Sequence, residues 1–178
     1  MDDMFPHTEA LVGISQVSIV FAGFAGISVV LSRRLPEQWT YGEAVRMACM
    51  IESSITAAFF ALLPIVIIAF GVSITATVSA SGLLFAIAMF VHMVANGVRI
   101  KRAYEQDPED MLPIAFRASM LIIGVAVLLA LVLSSFNIVF QGSFGPYLAG
   151  LLFHLAFSSL MFMRSLTLVR ETARTNSG

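Results

Sequence analysis

Charge is scarce in this chain of 178 residues, of which only 12% are Asp, Glu, Lys or Arg and 58% are hydrophobic. A soluble domain has about 25% charged residues, so the composition excludes an ordinary soluble enzyme. The single cysteine, Cys49, cannot form an internal disulfide or a cysteine-ligated metal cluster, and we expect it to be buried. The sequence also has no phosphate-binding loop, dinucleotide fingerprint, zinc-ligand spacing or nucleophile elbow. We therefore expect no enzymatic activity, no cofactor, no bound metal and no nucleic-acid partner.

Three long runs without a charged residue make up most of the chain: 10–32, 53–98 and 118–163, of 23, 46 and 46 residues. About 20 apolar residues cross the roughly 30 Å hydrocarbon core of a bilayer. The first run therefore holds one helix, and each longer run holds two helices joined by a tight turn. The sequence predicts a single domain, an all-α polytopic membrane bundle with five transmembrane helices near 10–32, 46–71, 77–99, 117–137 and 146–169.

The basic residues predict the orientation of this bundle in the membrane. All ten Lys and Arg residues flank the first connection, the third connection or the C-terminal end, whereas the second and fourth connections carry no charge. Basic residues are retained on the cytoplasmic side. We therefore expect a multi-pass protein of the plasma membrane, the inner membrane in a bacterium, with the N-terminus outside and the C-terminus in the cytoplasm. The third connection should begin as a helical extension of the third span that ends before Pro108.

The two longer runs resemble each other. Residues 81–102 align without gaps on 149–170, with seven identities in 22 positions. The hairpins 46–102 and 117–170 would then be a parallel internal repeat, related by an axis along the membrane normal. Shared lipid-facing composition is the alternative explanation, because Leu, Phe, Ala and Gly recur in any membrane span.

Glu52 is the most informative polar residue, because it lies roughly 10 Å inside the cytoplasmic boundary at 1.5 Å per residue. A carboxylate there costs several kcal/mol unless it is neutralised. Arg164 on the fifth helix, and His92 and Asn96 one turn apart on the third, lie at a comparable depth. Either Glu52 pairs with Arg164 as a structural clamp, or Glu52, His92 and Asn96 form a hydrated proton or ion path.

A second polar group is expected nearer the outer surface, formed by Ser15, Gln16 and His154. These residues would mark a vestibule or make ordinary hydrogen bonds between helices. By helix rise, His92 and His154 should differ in depth by roughly 10 Å, which argues against their holding one haem between them.

Small residues recur on the first helix at Ser18, Ala22 and Gly26. Small side chains allow the backbones of membrane helices to approach closely, so this face is a candidate seam, either within one subunit or between subunits. Five helices leave little room for a wet path inside one chain. The leading hypothesis is a homo-oligomeric channel or small transporter for ions or protons, and the alternative is an accessory subunit that docks another membrane protein.

Overall fold

The computed structural model describes residues 7–31, 39–106, 113–139 and 143–175. In these residues it has five helices and no strand: α1 (Thr8–Leu31), α2 (Tyr41–Ala69), α3 (Ile74–Gln106), α4 (Ile114–Ser135) and α5 (Gly145–Thr175). Each helix contains a segment long and apolar enough to cross a membrane. The prediction of an all-α, five-helix bundle is confirmed, and the chain is a multi-pass membrane protein in contact with lipid. Helix α3 ends before Pro108, as predicted.

Helix α2 begins five residues before its predicted start at 46, because Thr40 caps it. The Thr40 side chain accepts a hydrogen bond from the Glu43 backbone N–H over 3.1 Å, and the Thr40 backbone N–H donates to Glu43 Oε2 over 2.9 Å. This reciprocal capping box satisfies two helix-end donors. At its other end, α2 stops at a turn in which Gly71 adopts a φ of 80°, a conformation that glycine reaches without strain.

Helices α2, α3, α4 and α5 form a ring in which each packs against the next, and α1 lies outside the ring against α2 and α5. We call the end of the bundle where α2 and α4 begin the basic end, because Arg46, Arg99, Lys101 and Arg117 lie there. The opposite end holds the turn between α2 and α3, the end of α4 and the start of α5. The buried residues of α4, Gly124, Leu131 and Ser134, lie at its midpoint or beyond it, and none lies near its start. The ring is therefore closed at the opposite end and open at the basic end.

The closed half is held by a core of large side chains. Its fully buried members include Phe85, Tyr147, Leu131 and Leu151, all at most 2% exposed. A smaller cluster at the basic end contains Cys49, which is buried as expected.

The small-residue face of α1 divides between two environments. Ser15 and Ser18 are buried, Ala22 is half-buried and Gly26 is exposed. Ser18 therefore packs within the chain, whereas a methyl group added at Gly26 would meet nothing within 4 Å. The subunit contact at this face, like the repeat of 46–102 and 117–170, stays a prediction.

Candidate functional site

Six polar side chains from α2, α3 and α5 form one continuous row of hydrogen bonds inside the ring. Helix α2 runs antiparallel to both α3 and α5 and packs against both, so a residue on its inward face can lie level with one residue of each neighbour. Ser53 lies level with His92 and with His154. We call the row the polar chain; from the basic end inward it consists of Glu52, Arg99, Asn96, His92, Ser53 and His154.

An ion pair forms the outer end of the polar chain. Arg99 Nη1 donates to both carboxylate oxygens of Glu52, over 2.6 and 2.7 Å. The two side chains are 39% and 40% exposed, so the pair lies at a boundary. The partner of Glu52 is thus Arg99, which corrects the expectation of a clamp with Arg164. The reason is that α3 continues seven residues past 99, so Arg99 shares a helix face with His92 and Asn96 and its long side chain reaches Glu52.

The two membrane histidines are neighbours, with ring centroids 5.2 Å apart. The expected difference of roughly 10 Å in their depths is wrong, and His154 belongs to the polar chain. The cause is the start of α5, where Phe144 and Tyr147 are only 4% and 2% exposed and the Tyr147 hydroxyl donates to the carbonyl oxygen of Phe60. Phe60 lies nine residues before the end of α2, about 13 Å along the helix, so α5 begins inside the bundle.

One assignment of protons satisfies all the hydrogen bonds of the polar chain. Arg99 is a donor only, and its Nη1 lies 3.3 Å from Asn96 Oδ1, so the Asn96 amide nitrogen faces His92. That nitrogen lies 2.7 Å from His92 Nε2, which must accept. Nε2 also accepts from the Ser53 hydroxyl at 3.1 Å. The Ser53 oxygen is then left to accept from Nδ1 of His154, 3.4 Å away.

This assignment leaves Nε2 of His154 with a free lone pair. The atom is buried and has no hydrogen-bond partner among the residues that the structure describes. The His154 side chain as a whole is 1% exposed. A buried polar atom without a partner costs free energy, so it marks a position where a proton or a ligand group would be accepted.

Aromatic rings close the polar chain on its inner side. Phe60 and Phe85 are stacked with centroids 4.7 Å apart, and Phe85 meets Tyr147 at 5.3 Å and His154 at 5.5 Å. We call Phe60, Phe85 and Tyr147 the aromatic plug. Beyond it, toward the opposite end, Oγ1 of Thr77 is buried without a hydrogen-bond partner among the described residues. Polar groups therefore lie on both sides of an apolar layer.

A cavity of about 300 Å³ lies between α2, α3, α4 and α5 at the basic end, against the polar chain. Its inner wall includes His154 and His92, and its outer wall reaches Lys101 and Arg117. Lys101 is 79% exposed, so the cavity extends from the middle of the bundle to its surface. Helices of a single chain line this cavity, whereas the sequence had suggested that five helices leave little room for a wet path inside one chain.

The remaining predicted residues do not join the polar chain. Ser15 is buried on α1, and Gln16 is exposed on another face of the same helix. The ring contacts and hydrogen bonds of His154 are with residues of α2, α3 and α5. Arg164 is half-buried on α5.

The places of Ser53 and Arg99 in the polar chain were not predicted from the sequence. A signal for Arg99 was present, because His92, Asn96 and Arg99 follow the i, i+4, i+7 spacing of one helix face. For Ser53 there was no such signal, since serine is common in membrane helices and only the register of α2 against α5 gives it two histidine neighbours.

Metal and cofactor binding gain no specific support from this site. No three His, Cys, Asp or Glu side chains of the described ranges come together as a metal site. The histidines hold each other through Ser53, and Nε2 of His92 is already an acceptor for two donors. No family model, curated protein or solved structure matches the chain. A functional proposal therefore rests on the geometry of the polar chain and its cavity.

Proposed function

We propose that the chain is a small, non-enzymatic membrane transporter that passes protons, or ions together with protons. The observation that carries the proposal is the polar chain, which leads from an exposed ion pair to the free lone pair of His154. Ionisable side chains are costly inside a membrane and are typically found on ion or proton pathways. Histidine suits this role because its charge changes near neutral pH.

The aromatic plug favours a gated transporter over an open channel. Phe85 packs on Phe60, Tyr147 and His154, so its apolar ring separates His154 from the buried side chains of Ser81 and Thr77 toward the opposite end. Passage then needs a movement that parts these rings. The cavity at the basic end gives one side of the membrane access to His154, and the plug would admit the other side in a second conformation.

Proton flux is the direct test of this proposal. We expect proteoliposomes that contain the purified protein, an internal pH dye and a potassium ionophore for charge balance to dissipate an imposed pH gradient faster than protein-free liposomes. His154→Gln should remove the excess flux, because a glutamine cannot take up the proton that Nε2 of histidine accepts. The matched control is His7→Gln, since His7 immediately precedes α1 and is not among the cavity-lining residues. Wild-type protein without flux would contradict the proposal and favour the accessory-subunit hypothesis.

The same assay decides between the two roles of Glu52. In a proton path, Glu52→Gln should change the pH dependence of flux and leave thermal stability nearly unchanged. In a clamp with Arg99, it should lower stability and leave the flux per folded protein unchanged. The exposure of the pair favours a small stability effect, since ion pairs in contact with water contribute about 1 kcal/mol or less.

Orientation and self-association complete the proposal. With the basic end in the cytoplasm, a cysteine placed at Glu105, exposed near the end of α3, should be labelled by impermeant reagents from the cytoplasmic side only. Cys49 is buried and should not react. Labelling of residue 105 from outside would reverse the orientation. Homo-oligomers in the plasma membrane, or docking to another membrane protein, would use the exposed face of α1 around Gly26.

A further inference from the structure

The outer half of the cavity is suited to an anion. Arg117 and Lys101 line it, and no Asp or Glu is among its lining residues in the described part of the chain. The guanidinium carbon of Arg117 lies 4.3 Å from the centre of the Tyr104 ring, and Nε of Arg117 is buried without a hydrogen-bond partner among the described residues. A carboxylate is the ordinary partner for a fixed guanidinium of this kind.

The inner end of the cavity is suited to a hydrogen-bond donor. His154 lines this end, and because its Nδ1 donates to Ser53, its Nε2 is a buried acceptor for an O–H or N–H. The side chain is 1% exposed, and Nε2 has no hydrogen-bond partner among the described residues. A ligand that fits this end carries a hydrogen-bond donor.

The walls between these ends are mainly apolar and aromatic. They are formed by Phe116, Met120, Phe153, Phe157 and Met161. A cavity of 150 Å³ binds benzene, so the 300 Å³ present here has room for about a dozen heavy atoms. His92, level with His154, lies nine residues before Lys101, about 13 Å along α3. An extended aromatic compound of that size spans this length with a hydrogen bond at either end.

We propose that the cavity binds a hydroxyaryl carboxylate, with the carboxylate at Arg117, the ring against the phenylalanine and methionine side chains, and the hydroxyl donating to Nε2 of His154. Such a compound provides a partner for Nε2 of His154 and for Nε of Arg117 at once. It would be the cargo of the proposed transporter and in that respect rests on the proposed function. Binding itself needs no movement of the aromatic plug.

Calorimetry on the protein in nanodiscs tests the site with four matched probes: hydroxyphenylpropionate, phenylpropionate, methoxyphenylpropionate and tyramine. We expect hydroxyphenylpropionate to bind with a stoichiometry of one. Phenylpropionate, which lacks the hydroxyl, and methoxyphenylpropionate, which cannot donate, should each bind about tenfold more weakly. Tyramine keeps the hydroxyl but replaces the carboxylate by an ammonium group, so it should not bind measurably.

Two variants locate the ends of the ligand. Arg117→Gln should weaken all the carboxylates by about tenfold or more, because it removes a charge-assisted hydrogen bond. His154→Phe keeps a ring of similar size and should abolish only the preference for the hydroxylated acid. Arg102→Gln is the control, since Arg102 is exposed at the same end and is not among the lining residues. Should His154→Phe fail to fold, the comparison of the three acids on wild-type protein tests the same hydrogen bond.

Equal affinity for hydroxyphenylpropionate and phenylpropionate, tighter binding of tyramine, or unchanged binding in Arg117→Gln would each overturn the inference. Because calorimetry records no flux, the two proposals can fail separately. Binding without proton flux would leave this site standing and reject the transporter. Flux without binding of any probe would leave the transporter standing and reject this site.

Discussion

Replacing Phe85 by alanine is expected to convert a gated proton flux into a leak several-fold faster than that of the wild-type protein. Phe85 is fully buried, stacks on Phe60 and meets Tyr147 edge to face. Its removal opens a space on the side of His154 that faces Thr77, and Nε2 of His154 and Oγ1 of Thr77 are both buried without a hydrogen-bond partner among the described residues. Water that enters such a space gains polar partners on either side and would join them.

The same substitution should cost about 3 to 5 kcal/mol of unfolding free energy, since it removes a buried phenylalanine and leaves a cavity. Flux is therefore compared per folded protein, at a temperature below the lowered melting point. Phe85→Leu retains most of the volume and provides a milder variant with a smaller leak. Phe90→Ala, on the same helix but 58% exposed, should change neither flux nor stability substantially. A wild-type flux in folded Phe85→Ala protein would show that the aromatic plug is not the gate.

Gly150→Ala is the substitution for which we expect the largest loss of stability per added atom. A methyl group at Gly150 would lie 2.6 Å from Cε1 of Phe85 and 3.1 Å from Cδ1 of Leu131. Neither side chain can withdraw easily, because both are at most 1% exposed. Helix α5 would have to move away from α3 and α4, at a cost of about 1 to 3 kcal/mol. Since α5 carries His154, proton flux should fall as well.

The control for Gly150→Ala has the opposite expected sign. Gly13 lies in α1, and a methyl group there meets nothing within 4 Å, so Gly13→Ala should stabilise its helix by up to about 1 kcal/mol. Thermal unfolding in one detergent measures both. The double variant Gly150→Ala with Phe85→Leu should recover part of the lost stability, because the leucine removes the ring edge that the new methyl group meets. Equal stabilities for the two alanine variants would refute the close approach of α5.

The number of helices and their approximate bounds could be predicted because bilayer thickness is an external length standard. Each charge-free run had to contain a whole number of crossings, and the distribution of Arg and Lys agreed with five. Polar residues whose burial in a membrane costs free energy could also be recognised from the sequence. Glu52, His92 and Asn96 stand out in an apolar sequence, and the structure brings these three into one polar chain.

Relative depth was decided only by the tertiary structure. From the sequence, every span was expected to start at the membrane surface. In the structure α5 starts inside the bundle, because Phe144 and Tyr147 are buried against the other helices. That displacement brings His154 level with His92, which no count of residues from the nearest turn could show. The choice of Arg99 over Arg164 as the partner of Glu52 has a similar cause, since it depends on how far α3 continues and which face it turns toward α2. Local sequence determines where along the chain a membrane helix forms. The depth of that helix relative to its neighbours is determined by the side chains against which it packs.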